Sequence, residues 1–429
     1  MARAKKEAAL TPEERLQAAL VPDWEWPYKL PENWCWVYAP HIFDIEYGKG
    51  LPTKQLSDTG YPVFGANGQI GFYSEYMYKE PQALMSCRGA YSGTMNKSLP
   101  YSYVTSNSLI ISSPRGLMGA DCIYYLFSAL NVSELISGTA QPQVTVQSFD
   151  GFPIPLSPLA EQQRIVDRIE SLFAKLDEAK EKAQAVVDSF ETRKAAILHK
   201  AFTGELTAKW REEHGVSIDN WKTTRFDSVA AIRSNLVDPA EYQSFPHIAP
   251  DNIEKKTGVL LEYHTIAEDG VTSGKHRFYS GQILYSKIRP YLSKAVVVDF
   301  DGLCSADMYP IEAYQNARCL WYYMLSDEFL LQASTAGSRS VLPKINQKEL
   351  SALTVHLPTN DREQEEIARI LDELFDKEQQ TKEAAEVVLD QIDLMKKSIL
   401  ARAFRGELGT NDPSEESAVE LLKEIIRRG

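Results

Sequence analysis

The sequence predicts an α+β chain: two mixed α/β globules separated by two long repeated helices whose apolar seams pair with each other as a coiled coil. Three observations carry this. Residues 161–206 align with 363–408 at a constant offset of 202 with no gap, and 19 of the 46 positions are identical. Chance would give roughly three, at ~6% background identity. Both copies carry apolar residues at alternating steps of four and three and contain no proline, the pattern of a helical heptad seam. The intervening stretches, about 30–157 and 219–357, are similar in length and read as short strands punctuated by turns.

Taken in order, residues 1–29 are an N-terminal extension with no apolar core of a secretory signal. The first globule, 30–157, opens with LPENWCWV (30–37). It contains a GANG turn (65–68), the strand-like run YSYVTSNSLIIS (101–112) and a helix candidate at Cys122–Leu130, and closes on FPIPLSP (152–158). The first repeat, 158–218, has Ile165, Ile169, Leu172, Leu176, Ala179, Ala183, Val186 and Phe190 on its seam. The second globule, 219–357, opens with DNWKTTRF (219–226) and contains GQILYSKI (281–288), KAVVVDF (294–300) and a helix candidate at Cys319–Gln332. It closes on LTVHLP (353–358). The second repeat, 358–410, places Ile367, Leu371, Leu374, Ala385, Val388, Ile392, Met395 and Ile399 on the seam, interrupted by Glu378 and Thr381. A single helix of ~40 residues in each copy would be ~60 Å long at ~1.5 Å per residue, stopping near Gly204 or Gly406. Residues 411–429 read as a C-terminal tail helix.

Of 429 residues, 46 are basic and 59 acidic, a net charge of −13. Taken alone this argues against nucleic-acid binding. Residues 221–357, however, carry 14 basic against 15 acidic residues, so a local basic face stays open. Five scattered cysteines without a CxxC pair fit reduced thiols in a cytoplasm rather than a disulfide frame or zinc site. No apolar run approaches the ~18 residues of a membrane span.

Catalytic motifs are missing. There is no NPPY or DPPF for amino-methyl transfer and no Gly-rich nucleotide loop after a strand. GVTSGK (270–275) is one residue short of a phosphate loop, and His276 stands where Ser or Thr belongs, so it reads as a turn. PDNIEKK (250–256) sets its acidic residues too close together for a nuclease. The seven histidines are dispersed, none at metal-ligand spacing. The absence of every common motif in a chain of this size favours a recognition or scaffold protein.

This order of two variable globules and two repeated helices resembles the DNA specificity subunit of type I restriction–modification systems. The matching segments are SPLAEQQRIV (157–166), AILHKAFTGELTAKWRE (196–212) and SILARAFRGEL (398–408), with VFGANGQIGFY (63–73), GQILYSKIRPYL (281–292) and STAGSRSVLPKI (334–345) in support. PTNDREQ (358–364) departs from the Pro-Leu-x-Glu-Gln form seen at 158–162. The resemblance implies target-recognition domains that each read one half of a split, non-palindromic sequence in double-stranded DNA. It implies helices that pair as an antiparallel coiled coil, space the domains and dock two methyltransferase subunits, with restriction subunits joining. Phe202, Gly204, Leu206, Phe404, Gly406 and Leu408 are the candidate docking residues. S-adenosylmethionine, ATP and Mg are then expected on the partners and no cofactor on this chain. Candidate DNA contacts are basic, amide or aromatic side chains in turn-rich runs: Lys49, Lys54, Arg88, Tyr91, Lys97 and Asn107, then Lys275, Lys287, Arg289, Arg339 and Lys344. Two alternatives stay open on the residues alone: a coiled-coil scaffold with two protein-binding modules and no DNA affinity, and a relative of a fused restriction–methyltransferase enzyme.

Overall fold

The structure, a computed structural model, describes residues 11–114, 117–336 and 343–428. Its α-helices are α1 (Pro12–Ala19), α2 (Ala120–Ala129), α3 (Leu159–Asp188), α4 (Phe190–Phe202), α5 (Ala208–His214), α6 (Ala317–Met324), α7 (Asp327–Ala336), α8 (Gln347–Ala352), α9 (Asp361–Ala403) and α10 (Ala418–Arg428). No helix among the described residues is long and apolar enough to cross a membrane. The chain divides into two compact units. One takes residues up to 182 and from 388 onward, the other 183–387, so both divisions fall inside long helices.

In the first unit, the first and last strands of the globule pair antiparallel, with Cys35 opposite Leu156 and Tyr38 opposite Pro153. This clasp closes the globule just before α3 begins. A four-stranded antiparallel sheet runs in the order Asp44–Tyr47, Ser108–Ser112, Ala83–Ser86, Met95–Lys97. Side chains alternate between faces along a strand. Ala83, Met85, Leu109 and Ile111 accordingly enter the main core with α2, while Leu84 and Ile110 meet Phe64 and Val104 on the other side. That second face carries the hairpin Tyr61–Gly65/Gly68–Tyr73, with Tyr103–Val104 added in parallel. Described segments near both ends of the chain join the main core. Ala19, Ala418 and Leu422 are fully buried, with Leu16, Val419 and Ile426 packed beside them. Thr11 and Glu14 form a capping box that starts α1. The described part of the N-terminal extension is thus built into the first globule.

The second unit repeats this plan. Trp221–Arg225 pairs antiparallel with Thr354–Pro358 as the clasp. The four-stranded sheet has the order Ala230–Ile232, Met308–Ala313, Ile283–Ser286, Ala295–Val297. Three of its strands start at 283, 295 and 308, where the first globule has 83, 95 and 108. The pairing register is the same: Ala83 faces Lys97 and Ile111, and Ile283 faces Val297 and Ile311. A five-stranded sheet covers the far side. The globules share a fold that their side chains conceal.

The repeats are helical, with two departures from the heptad expectation. The first repeat is not one helix: α3 stops at Asp188 and α4 resumes at Phe190. At the break the Ser189 hydroxyl donates to the Ala185 carbonyl at 2.6 Å, the back-bond that bends helices. The seam is also only partly closed. Ile165, Ile169, Phe190, Ile367, Leu371 and Ile392 are buried, Leu172, Leu176, Val186, Leu374 and Ile399 half-buried, but Val388 and Met395 are exposed. Ile165 and Ile169 lie in the core of the first globule and Ile367 and Leu371 in that of the second, so seam residues near the helix starts pack on a globule.

Candidate nucleic-acid interface

In each globule three segments meet at one end of the central antiparallel pair. In the first they are the loop after Ser86, the residue before Ser108 and the short strand at Gln143–Val144. The Cys87 N–H donates to Asn107 O at 3.0 Å, Gly89 N–H to Pro142 O at 2.9 Å, and Val144 N–H to Cys87 O at 3.1 Å. In the second, Lys287 N–H donates to Asp307 O at 3.0 Å, Arg289 N–H to Pro343 O at 2.7 Å, and Ile345 N–H to Lys287 O at 2.9 Å. The two corners are stitched identically, and different side chains hang on one frame.

The first corner gathers Arg88, Tyr91 and Asn107, all exposed. Lys49 joins them: its N–H donates to Val104 O at 2.9 Å, and its carbonyl accepts from Ser106 N–H at 3.2 Å. Sequence reasoning missed exposed Gln143, whose backbone bridges that of Arg88. It carries no charge, and only the prolines preceding Gln143 and Lys344 mark the two positions as equivalent. The GANG turn is pinned beneath, where Ser108 Oγ donates to Gly65 O at 3.0 Å and Ser86 Oγ to Ala66 O.

The second corner gathers Lys287, Arg289 and Lys344. Lys344 pairs with Asp307 at 2.9 Å. The Lys287 ammonium donates to Ala306 O and lies 5.2 Å from the Tyr309 ring centroid. Burial, then the neighbouring Lys344 cation, pull its pKa below the usual lysine value.

Other candidates fall elsewhere. Lys275 is a correction: it is 6% exposed, and its ammonium donates to Ser273 O at 2.9 Å and Oγ at 2.7 Å, so it is held inside the strand end. Lys97 pairs with Asp121 on α2 at 2.6 Å, and Lys54 is exposed on a short turn, Thr53–Gln55. Arg339 lies outside the described residues.

Of the six docking candidates, Phe202, Gly204 and Phe404 are buried and Leu206, Gly406 and Leu408 half-buried, which corrects the expectation of an exposed docking face. Phe202 and Phe404 are 2% and 3% exposed, and half-buried Leu206 and Leu408 pack against the same cores. A Cβ on Gly406 would come 2.3 Å from Pro31 Cγ, and one on Gly204 2.7 Å from Ile218 Cδ1. These glycines let helix ends approach the opening segment of a globule.

What the sequence showed only as an EQ at each helix start is a buried polar node. Glu161 is fully buried and accepts from Trp34 Nε1 at 2.7 Å, Asn411 Nδ2 at 2.9 Å and Thr410 Oγ1 at 3.1 Å. Glu363, equally buried, accepts from Trp221 Nε1 at 2.9 Å, Thr207 Oγ1 at 2.9 Å, Asn220 Nδ2 at 3.0 Å and Arg211 at 2.7 Å. Gln162 and Gln364 donate to the carbonyls of Ser157 and Pro358. Each node ties a helix start, the opening of a globule and the segment that follows the end of a repeat's long helix.

Burial raises the cost of the Glu363 charge, but the four side-chain donors outweigh it and hold the carboxyl below its ordinary pKa. The ionised form therefore contributes stability that is complete above the unfolded value of about 4.3 and is lost as pH falls through the lower folded value. Hydrogen exchange of segment 361–371 should accelerate as pH drops below that range, after correction for intrinsic exchange. Glu363→Gln should flatten the dependence, and an unchanged profile would count against this role.

The profile of the type I restriction modification DNA specificity domain matches residues 31–187 and 218–388. The chain belongs to this family of specificity subunits. It is 34% identical over 405 residues to the type I restriction enzyme EcoDI specificity subunit of Escherichia coli, covering 86% of this chain and 89% of the relative. The EcoKI specificity subunit of Escherichia coli strain K12 is 25% identical over 331 residues, 68% of each chain. Two solved structures share the fold. One, from work on assembly and conformational transition of the type I R-M system, superposes with a TM-score of 0.65 at 19% identity, over 89% of this chain and 100% of its own. The other, the HsdS subunit from Thermoanaerobacter tengcongensis, gives 0.58 at 18% identity, over 89% and 99%.

Proposed function

We propose that this specificity subunit reads a bipartite, non-palindromic DNA sequence, one half with each globule. The observation that carries this is the pair of corners: one backbone frame, stitched alike, bearing Arg88, Asn107 and Gln143 in one globule and Lys287, Arg289 and Lys344 in the other. Cations engage phosphates and set register, while Arg, Asn and Gln are the side chains suited to base edges. Different side chains on a common frame suit half-sites that differ. The net charge of −13 does not oppose this, because binding depends on local cations.

The repeated helices pair antiparallel and space the globules. In support, Lys180 pairs with Asp393 at 3.0 Å and Asp177 with Lys396 in one unit, and Arg193 with Glu378 at 2.7 Å in the other. As one partner number rises the other falls. The repeat offers related surfaces to two copies of one methyltransferase subunit. Those partners bring S-adenosylmethionine, and restriction subunits bring ATP and Mg, while this chain contributes no catalytic group and works in the cytoplasm.

The test is DNA binding by the chain assembled with its methyltransferase subunits. Arg88→Ala together with Lys49→Ala should weaken target binding about tenfold or more and lower the slope of log affinity against log salt by about one per lost phosphate contact. Lys54→Ala and Lys97→Ala should do less. Binding that is unchanged by Arg88→Ala with Lys49→Ala would overturn the proposal.

A further inference from the structure

The second corner contains a strained residue that the first does without. The loops 87–94 and 287–294 connect equivalent strands with equal length and matched hydrogen bonds. Ser86 N–H donates to Thr94 O and Ser286 N–H to Lys294 O, both at 2.9 Å, and Ser92 N–H to Gly89 O at 3.0 Å matches Leu292 N–H to Arg289 O at 2.9 Å. This frame needs left-handed backbone at two places. In the first globule both are glycine, Gly89 at φ +79° and Gly93 at φ +87°. In the second they are Arg289 at φ +49° and Ser293 at φ +47°. A side chain in that region is strained, whereas glycine is not.

The two strained positions differ in what their side chains do. Ser293 is 3% exposed, and its buried hydroxyl has no hydrogen-bond partner among the described residues. The Arg289 side chain is exposed and forms no ion pair among the described residues. Pro290, buried and fixed in φ, opens the next turn directly after Arg289. A charged side chain held forward at a backbone cost, where the sister loop uses glycine, is the mark of strain kept for a site. Its neighbours are already engaged: the Lys287 ammonium donates to the Ala306 carbonyl, and Lys344 pairs with Asp307.

We infer that Arg289 is a sequence-reading residue of the second globule, its guanidinium engaging the paired acceptors of a guanine edge in the second half-site. A phosphate contact can be made from a flexible lysine. A bidentate contact to guanine O6 and N7 needs the planar fork at a fixed angle, which rigid, strained backbone supplies. The inference rests on the proposed DNA-reading role of the corners.

The experiment has two arms. Thermal unfolding of the full chain tests the strain. Arg289→Gly and Ser293→Gly should each raise the Tm of the transition that includes the second unit, by about 2–4 °C. Genome-wide mapping of methylated adenines, in cells carrying the chain with its methyltransferase subunits, tests the reading. Arg289→Gly and Arg289→Lys should relax one G·C position in one half of the recognised sequence, while Ser293→Gly keeps the wild-type motif. A uniform loss of methylation with the motif unchanged would mean a phosphate contact and overturn the inference, as would an unchanged motif at wild-type efficiency or a lowered Tm for Arg289→Gly. If wild-type methylation showed no bipartite motif, the DNA-reading proposal itself would fail, an outcome distinct from the others.

Discussion

Glu363→Ala is expected to destabilise the second unit by about 3–5 kcal/mol, the cost of breaking a buried ion pair by removing one partner. The Arg211 guanidinium lies 2.7 Å from the carboxylate, with side-chain exposures of 10% for the arginine and 0% for the glutamate. Among the described residues, removing Glu363 leaves that cation with only Thr207 Oγ1 at 2.9 Å and Gly204 O at 2.7 Å, and strands the Trp221 indole N–H. The counterpart Glu161→Ala should cost less, about 1–3 kcal/mol, because its donors Trp34, Thr410 and Asn411 are neutral. The nearby Arg164 is not orphaned, since it forks onto Glu415 at 2.7 and 2.8 Å. Hydrogen exchange resolved by peptide checks both variants. Loss of protection should centre on 207–226 and 361–371 for Glu363→Ala, and on 33–38, 159–166 and 408–418 for Glu161→Ala. Equal, small effects would show that Glu363 is a replaceable hydrogen-bond acceptor.

These nodes mark how far the sequence could be read. The repeat was legible because identity at constant offset survives wherever a helix keeps its length. That Glu161 and Glu363 would be buried was not legible. A glutamate in a first helical turn normally faces water and the helix dipole, and the donors that permit burial here come from residues such as Trp34 and Asn411, hundreds of positions apart. The heptad pattern named the right helices but not every right face. Val388 and Met395 keep the spacing of the seam yet are exposed. A straight helix drifts about 20° per heptad against a 3.5-residue repeat, and helix ends are claimed by the globules. The common fold of the globules was hidden because it resides in backbone hydrogen bonds and strand register, carried by residues as unlike as Cys87 and Lys287 or Gly89 and Arg289. Lys275 illustrates the converse: a lysine in a Gly- and Ser-rich run reads as a surface cation, and only the fold shows it turned inward onto Ser273.

Exchanging the interior of the first globule for that of a relative is expected to replace one half of the methylated sequence outright and leave the other half untouched. The structure sets the boundaries. Residues 35–38 and 153–156 form the clasp, and Trp34 belongs to the Glu161 node, so the exchange should span 39–152 and retain both. The segment then carries Lys49, Arg88, Asn107 and Gln143 away together with the frame that holds them, while the second corner and both repeats remain. Each altered base contact is worth about 1–3 kcal/mol of discrimination. Three such contacts changed at once, at Arg88, Asn107 and Gln143, shift preference by about 3–9 kcal/mol, roughly two to six orders of magnitude. Inserting seven residues after Ala183 and after Ala385 should do the opposite: keep both halves and lengthen the gap. Seven residues add about 10 Å at ~1.5 Å each, near three base pairs at ~3.4 Å. Mapping methylated adenines in cells carrying each variant with the methyltransferase subunits reads both effects. An exchange that altered both halves together would show that the globules do not read independently. An insertion that left the gap unchanged would show that the helices do not set the spacing.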